Sequence, residues 1–251
     1  MNYREIVLYG VYSDLRTEVA RRFLGFLWWI IEPVMFMAVF YVVFGLALRQ
    51  GTPGYVPFLL CGMVVWKWFD GSVRQASQAI LMNAGLIQQI YVPKSLFVLI
   101  QIFSNTFKFF IVFLLLLGFL LVIGKSPSQE WLALLPIIVT QLLLIISVAL
   151  LLASIIPFAH DLKMVVDNLL MLMMFMSGVF FSSSDVPENM RSFFEYNPMV
   201  LIISAYRDVL LDNQWPQWSS LGYCLVLSLP IMAVGLLILA RNERRYPKLL
   251  Y

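Results

Sequence analysis

Charge is scarce in this 251-residue chain: Asp, Glu, Lys and Arg together make up 12% of it, against 61% hydrophobic residues. A soluble domain carries about 25% charged residues. With a mean hydropathy of +0.87 there is too little polar surface to keep a globule in water, so the class is a multi-pass membrane protein. Histidine is scarcer still. The one His, His160, stands beside Asp161, and a single His–Asp pair makes neither a nucleophile–base–orienter set nor a metal site. The two cysteines, Cys61 and Cys224, both fall in apolar segments; this excludes a disulfide framework and a zinc site. A net charge of +3 is too small to argue for nucleic acid. The first ~25 residues have no short apolar core and no small-residue cleavage site, so no removable signal peptide is expected and the first apolar segment should direct insertion. There is no repeat of fixed period and no matched pair of Gly/Pro-broken helices, the usual pointer to a secondary transporter. The "GKS" at Gly124 to Ser126 is not a phosphate-binding loop. That pattern needs a glycine five positions before Gly124, where Phe119 stands. The chain itself is expected to perform no chemistry, and energy for uphill transport would have to come from elsewhere.

Long apolar runs are what the chain does have. Crossing ~30 Å of hydrocarbon takes about 20 mostly apolar residues. Six segments qualify: Phe26–Leu48, Tyr55 past Trp68 towards Ile80, Leu96–Ile123, Trp131–Phe158, Met164–Phe181 and Leu221–Ala240. Basic residues flank both termini, with Arg4, Arg16, Arg21 and Arg22 at one and Arg241, Arg244, Arg245 and Lys248 at the other. Both ends should therefore be cytoplasmic, which agrees with an even number of spans. The loops around Lys94 and Lys163 would then face the cytoplasm, and residues 49–54, 124–130 and 182–220 would face outward.

Before the first span, Leu8, Tyr12, Leu15, Val19 and Phe23 recur at helical spacing, with Asp14, Glu18, Arg21 and Arg22 on the other face. This predicts an amphipathic helix lying in the interface with its charges towards the cytoplasm, either as an anchor or as a docking platform. Glu32, beside Pro33 in the first span, and Lys108 in the third are ionisable groups at membrane depth; such groups usually face protein or water. Lys67, Asp70 and Arg74 interrupt the second span at spacings of three and four. They share a helix face and can neutralise one another, as an ion-pair ladder or as part of a substrate site. After the second span, "NAGLIQQIYV" is a short helix-like piece stopped by Pro93. Leu86, Ile87, Ile90 and Tyr91 form its apolar stripe, which needs cover from another span or from a separate cytoplasmic domain.

The outer stretch "FFSSSDVPENMRSFFEYNP" (residues 180–198) has the form of a helix start. Asp185 can cap, Glu188 can reach back and Pro187 suits the first turn. Val186, Met190, Phe193 and Phe194 mark one face. Asn197 and Pro198 then end this helix and can cap another, expected from Met199 to about Leu211. At 1.5 Å per residue that helix covers roughly 20 Å, too short to cross. The pair is either a re-entrant lid over a pathway or a loop resting on the membrane.

The order of these segments resembles the permease subunit of type-2 ABC exporters, in particular the polysaccharide exporters that carry O-antigen, capsule and teichoic acid. Leu24, Gly25, Trp28 and Pro33 carry part of the resemblance; Val186, Pro187, Tyr196, Asn197, Pro198, Tyr206 and Arg207 carry the rest. It covers essentially the whole chain. It implies an all-α membrane protein with six transmembrane helices, in one permease domain. Residues 1–25 would be an interface helix, 26–181 the first five spans, 182–218 a periplasmic re-entrant gate hairpin, 219–240 the sixth span and 241–251 a cytoplasmic tail. It further implies a homodimer with two separate ATPase subunits that bind ATP and Mg. A coupling helix at Asn83, Leu86, Ile87, Gln88, Gln89, Ile90 and Tyr91 would sit on the ATPase, with Arg16, Arg21 and Arg22 nearby. The gate would comprise Asp185, Pro187, Glu188, Phe194, Tyr196, Asn197, Pro198 and Arg207. The chain departs from the family at His160, where an arginine is common, and at Ser177–Gly178, where many relatives have Ser-Pro.

The reading that follows is export of a lipid-linked glycan across a bacterial inner membrane. Trp28, Trp29, Tyr41, Phe175, Phe180 and Phe181 are either flat faces for passing sugars or interfacial anchors. The alternatives are an exporter of a drug, lipid or other small hydrophobic molecule, and a membrane-embedded enzyme of glycan assembly. The lone His and the lack of clustered carboxylates speak against the enzyme.

Overall fold

In the computed structural model, residues 3–21, 23–40, 42–43, 54–89, 92–182 and 194–246 are described. They form helices, turns and loops, with no strand among them. The helices are α1 (Tyr3–Arg21), α2 (Trp28–Phe40), α3 (Tyr55–Ser77), α4 (Ala79–Met82), α5 (Ala84–Gln89), α6 (Ser95–Val122), α7 (Leu134–Ile155), α8 (Leu162–Met176), α9 (Pro198–Leu210) and α10 (Trp218–Asn242). Short 3-10 turns at Gly25–Leu27, Gln129–Ala133 and Ile156–Phe158 lead into or out of them. Among the described residues, α3, α6, α7 with its flanking turns, and α10 are long and apolar enough to cross a membrane.

α3 is the central helix. Two thirds (67%) of its most apolar window is buried, against 28% for α6 and 22% for α10, so the latter two leave an apolar outer face uncovered. α6 shows why. Ile102, Thr106, Phe109, Phe113, Leu116 and Leu120 recur every three or four residues and are buried, while Phe103, Phe107, Phe110, Leu114 and Leu121 stay exposed. Trp68 of α3 stacks on Phe109 of α6 with ring centroids 4.0 Å apart and donates its indole N–H to Thr106 Oγ1 at 3.3 Å. Between membrane helices such a contact works through close van der Waals packing and the interhelical hydrogen bond rather than through escape from water. The amide of Gln141 on α7 donates to the Val65 carbonyl at 2.9 Å and ties α7 to the same helix. α7 and α10 approach closely at Gly235, where an added Cβ would lie 2.7 Å from the Leu151 backbone nitrogen.

The bundle runs up and down, so two ends can be told apart. α1, α4, α5 and the start of α6 gather at one end. The start of α3, the end of α8, and α9 gather at the other. The fifth expected span is shorter than its apolar run: α8 stops at Met176 rather than near Phe181. Gly178, at φ +72°, takes the left-handed conformation that ends helices and that suits glycine best. α9 falls within one residue of its expected limits.

α1 differs from its expected orientation. The stripe that packs on α6 is Ile6, Val7, Gly10, Val11, Asp14, Leu15, Glu18 and Val19, all half-buried. Leu8 and Tyr12 are exposed instead. Asp14 and Glu18 therefore turn into the protein rather than away from it. Gly10 allows the approach, since an added Cβ there would meet Ile100.

Candidate functional site

At the α1 end, Asp14 and Glu18 of α1 are met by side chains of α6. Glu18 Oε2 pairs with Lys108 Nζ at 2.8 Å; its other oxygen accepts from the Trp29 indole at 3.5 Å. Asp14 accepts from the Gln101 side chain at 3.1 Å. One turn on, Asn105 donates to the Gln101 carbonyl at 3.0 Å and to Gln75 Oε1 of α3 at 2.9 Å. These polar contacts run from α1 through α6 to α3. Glu18, Trp29, Glu32, Lys67 and Lys108 line a cavity of about 230 Å³ there. Gln101 and Asn105 escaped notice in the sequence, though two amides four apart in an apolar span were a usable signal.

The charges of the second span do not form one ladder. Arg74 bonds Asp70 at 2.8 Å and also the Asp167 carboxylate of α8. Lys67 leaves that group and pairs with Glu32 of α2 at 3.3 Å, over the Phe36 ring. The distance between positions 67 and 70 permits a shared face, but the partner on α2 is what Lys67 reaches.

The segment after α3 folds as two short helices. Asn83 ends α4, its side-chain amide donating to the Ala79 carbonyl at 2.8 Å. Ile87 is buried, while Leu86, Gln88 and Gln89 are exposed. Met82, one turn before Leu86, is 73% exposed, an apolar neighbour that the sequence reading passed over. Ile90 and Tyr91 lie outside the described residues. Across a cleft of about 670 Å³, α1 presents Tyr9, Asp14 and Arg21 to Met82, Asn83 and Leu86. Arg16 and Arg21 are exposed; Arg22 lies outside the described residues.

At the opposite end, the turn after α8 is held through its carbonyls. Asn197 accepts the Met199 N–H at 3.0 Å, capping α9, and donates its amide to the Met176 carbonyl at 3.1 Å. Arg207, only 5% exposed, donates Nη1 to Gly178 O at 2.7 Å, Nη2 to Val179 O at 2.8 Å and Nε to Phe58 O at 3.2 Å. Its Cζ stands 3.3 Å from the centre of the Phe58 ring. The Tyr55 hydroxyl donates to Phe180 O at 3.3 Å. Four carbonyls between residues 176 and 180 are thus taken by side chains of α3, of α9 and of the α9 cap. Burial pulls the Arg207 guanidinium down to about 10, which leaves it protonated at neutral pH. Lys125, of the rejected "GKS", donates to the Leu211 carbonyl at the end of α9, where a cation suits the helix dipole.

The aromatics separate into two groups. Trp28 and Trp29 are half-buried at the α1 end, with Trp29 edge-on to Phe107. Phe175 stacks on Phe180 at 5.4 Å, and Phe181 meets Phe194 edge-on at 5.3 Å, at the α9 end. Tyr196, 68% exposed, faces Tyr223. Phe180 and Phe181, with Tyr55, Phe58, Lys125 and Asp208, line a cavity of about 430 Å³. Asp208 has its carboxyl raised to about 6 by burial and by Asp212, against the pull of Arg207. Tyr41, Asp185, Pro187 and Glu188 lie outside the described residues.

Comparison with known proteins agrees with this architecture. The family model for the ABC-2 type transporter matches residues 14–211. An O-antigen export system permease protein RfbA of Klebsiella pneumoniae is 26% identical over 95% of this chain and 92% of its own length. Its namesake in Myxococcus xanthus is 29% identical over 85% of this chain and 83% of its own length. The polysialic acid transport protein KpsM of Escherichia coli is 24% identical over 92% and 90%. With four helices among its described residues long and apolar enough to cross a membrane, and with that model matching from α1 to the end of α9, the chain belongs to the ABC-2 type transporter family.

Proposed function

We propose that the chain is the membrane-spanning subunit of an ATP-driven exporter that moves a lipid-linked polysaccharide, of O-antigen or capsular type, from cytoplasm to periplasm. The observation that carries this is the set of relatives named for O-antigen and polysialic acid export, each aligned over more than four fifths of both chains. In this reading α2 and α8 complete six spans, both termini are cytoplasmic and the membrane is the bacterial inner membrane. A second copy of the chain forms the other half of the channel. Two separate ATPase subunits bind ATP and Mg, and α5 is the coupling helix seated on them.

The charges support a wet or protein-covered face. Lys67 is near the middle of α3, and its side chain and that of Glu32 are 44% and 54% exposed. Ion pairs at membrane depth face water or other protein rather than lipid. A channel at the interface of two copies supplies either. The expected interface helix and coupling helix line opposite sides of one cleft, so a push on α5 that closed it would reach α1 and, through Glu18 and Lys108, α6. At the far end, Phe175, Phe180 and Phe181 offer sugars flat apolar faces without many directed hydrogen bonds. The hairpin ending in α9 would be the gate over them.

Deletion of the gene tests the reading. Lipid-linked glycan should accumulate inside the cell and surface glycan should disappear; normal surface glycan would overturn it. Purified alone the chain should show no ATPase activity, and co-expression with a neighbouring ATPase should restore it.

A further inference from the structure

We propose that Arg207 is a positioning residue whose guanidinium fastens α9 to the turn after α8 and to the start of α3, so that these three pieces move as one body. The proposal rests on the gate reading above, and says which parts of that gate stay together.

A guanidinium carries five N–H donors in a rigid fork. Here the fork spans two elements: Nη1 and Nη2 take the adjacent carbonyls of Gly178 and Val179, and Nε takes Phe58 of α3. The carbonyls at the end of α8 carry the negative end of its dipole, so a cation there is doubly suited. No carboxylate lies within salt-bridge distance of Arg207 among the described residues; the charge is met by backbone oxygen and by the face of Phe58. Space is reserved for it. A Cβ on Gly62 would come within 2.5 Å of Nη2 and 3.3 Å of the Val179 backbone. Asn197 adds an independent tie, binding the first turn of α9 to Met176 O, and Tyr55 adds another at Phe180 O. Separating α9 from α8 would strand two buried carbonyls and a buried cation at once. A few buried bonds of this kind cost far more to open than a solvated loop. The joint is built to stay shut, and bending must fall elsewhere.

Cys61, fully buried next to Gly62, reports on the joint. In a Cys224→Ser background, in membranes co-expressing the neighbouring ATPase, Cys61 should resist a small maleimide equally with and without magnesium ATP. Arg207→Gln should label at least tenfold faster, and Arg207→Lys should fall between, since one ammonium cannot span three carbonyls. A tenfold rise in wild-type labelling under ATP would show the joint opening in the cycle and overturn the proposal. The second arm needs no Arg207 variant. Met176→Cys with Asn197→Cys, in a Cys61→Ala and Cys224→Ser background, is joined by a reversible bis-thiosulfonate and compared with the same protein after reduction. Surface glycan within twofold of the reduced form supports one rigid body; a loss above tenfold that reduction restores overturns it. Normal surface glycan in the deletion strain would sink the export reading and leave the labelling arm intact.

Discussion

Arg74 and Arg207 both hold α8 to α3, one at each end of the bundle, and they are neutralised in opposite ways. Arg74 meets two carboxylates, Asp70 and Asp167, in a setting where each of the three side chains is about a third exposed. Arg207 is buried and meets backbone carbonyls. A half-solvated ion pair contributes little, typically under about 1 kcal/mol, and its strength falls with salt. A buried fork on carbonyls satisfies the turn oxygens of Gly178 and Val179 away from water, and removing it strands both. The Arg74 joint is thus held by contacts that can exchange partners with water; the Arg207 joint is held by contacts shielded from it. In the proposed exporter, with ATPase subunits seated at α5, the end nearest the energy source would be adjustable and the far end stiff.

The comparison breaks most visibly at Arg207. Arg207→Met should lower the melting temperature in detergent by about 10 °C, corresponding to roughly 3 kcal/mol or more. Arg74→Met should cost far less; equal losses would erase the distinction. A smaller effect comes from crowding. Gly62→Ala places a methyl against Nη2 and the Val179 backbone, at a cost of about 1–3 kcal/mol. Because the clash is with the guanidinium, Gly62→Ala should cost less in an Arg207→Lys protein than alone, a non-additivity read from a double-mutant cycle.

The charged triad gives a smaller signal. Arg74→Gln alone leaves Asp70 and Asp167 without their cation and should destabilise by up to about 1 kcal/mol. Replacing all three, with Asp70→Asn and Asp167→Asn, should recover most of that in the same thermal assay. Failure to recover would mean that the triad is a buried lock like Arg207. The smallest effect is at Asp208. Its folded carboxyl titrates near 6, above an unfolded value of about 3.9. Between those values the folded protein holds a proton that the unfolded chain has released, so stability falls as pH rises from 4 to 6. Asp208→Asn should raise the melting temperature by about 2 °C at pH 8 and leave it unchanged below pH 4.

Local rules made much of the chain legible. α9 starts at Pro198 with Asn197 as its cap, because capping chemistry is written in adjacent residues. The Asp70–Arg74 pair follows from a spacing of four on one helix. Partners across the fold were not legible in the same way. Glu18 and Lys108 are 90 positions apart, and nothing in the spacing of α1 says that its acids face α6. The expected cytoplasmic face of α1 was assigned by sorting charged from apolar residues, a rule that assumes water on the polar side. Here an amide and an ammonium of α6 take the place of water. Lys67 went to α2 rather than along α3 for the same reason.

The sequence by itself determined the class, the apolar runs, the helix caps and the resemblance to polysaccharide exporters, since hydrophobicity, periodicity and capping are properties of neighbouring residues. The tertiary structure alone decided where charge is satisfied. It placed Arg207 on the carbonyls of Gly178 and Val179, in space left by Gly62. A buried charge takes whatever donor or acceptor packing brings within about 3 Å, and packing is set by contacts between residues far apart along the chain.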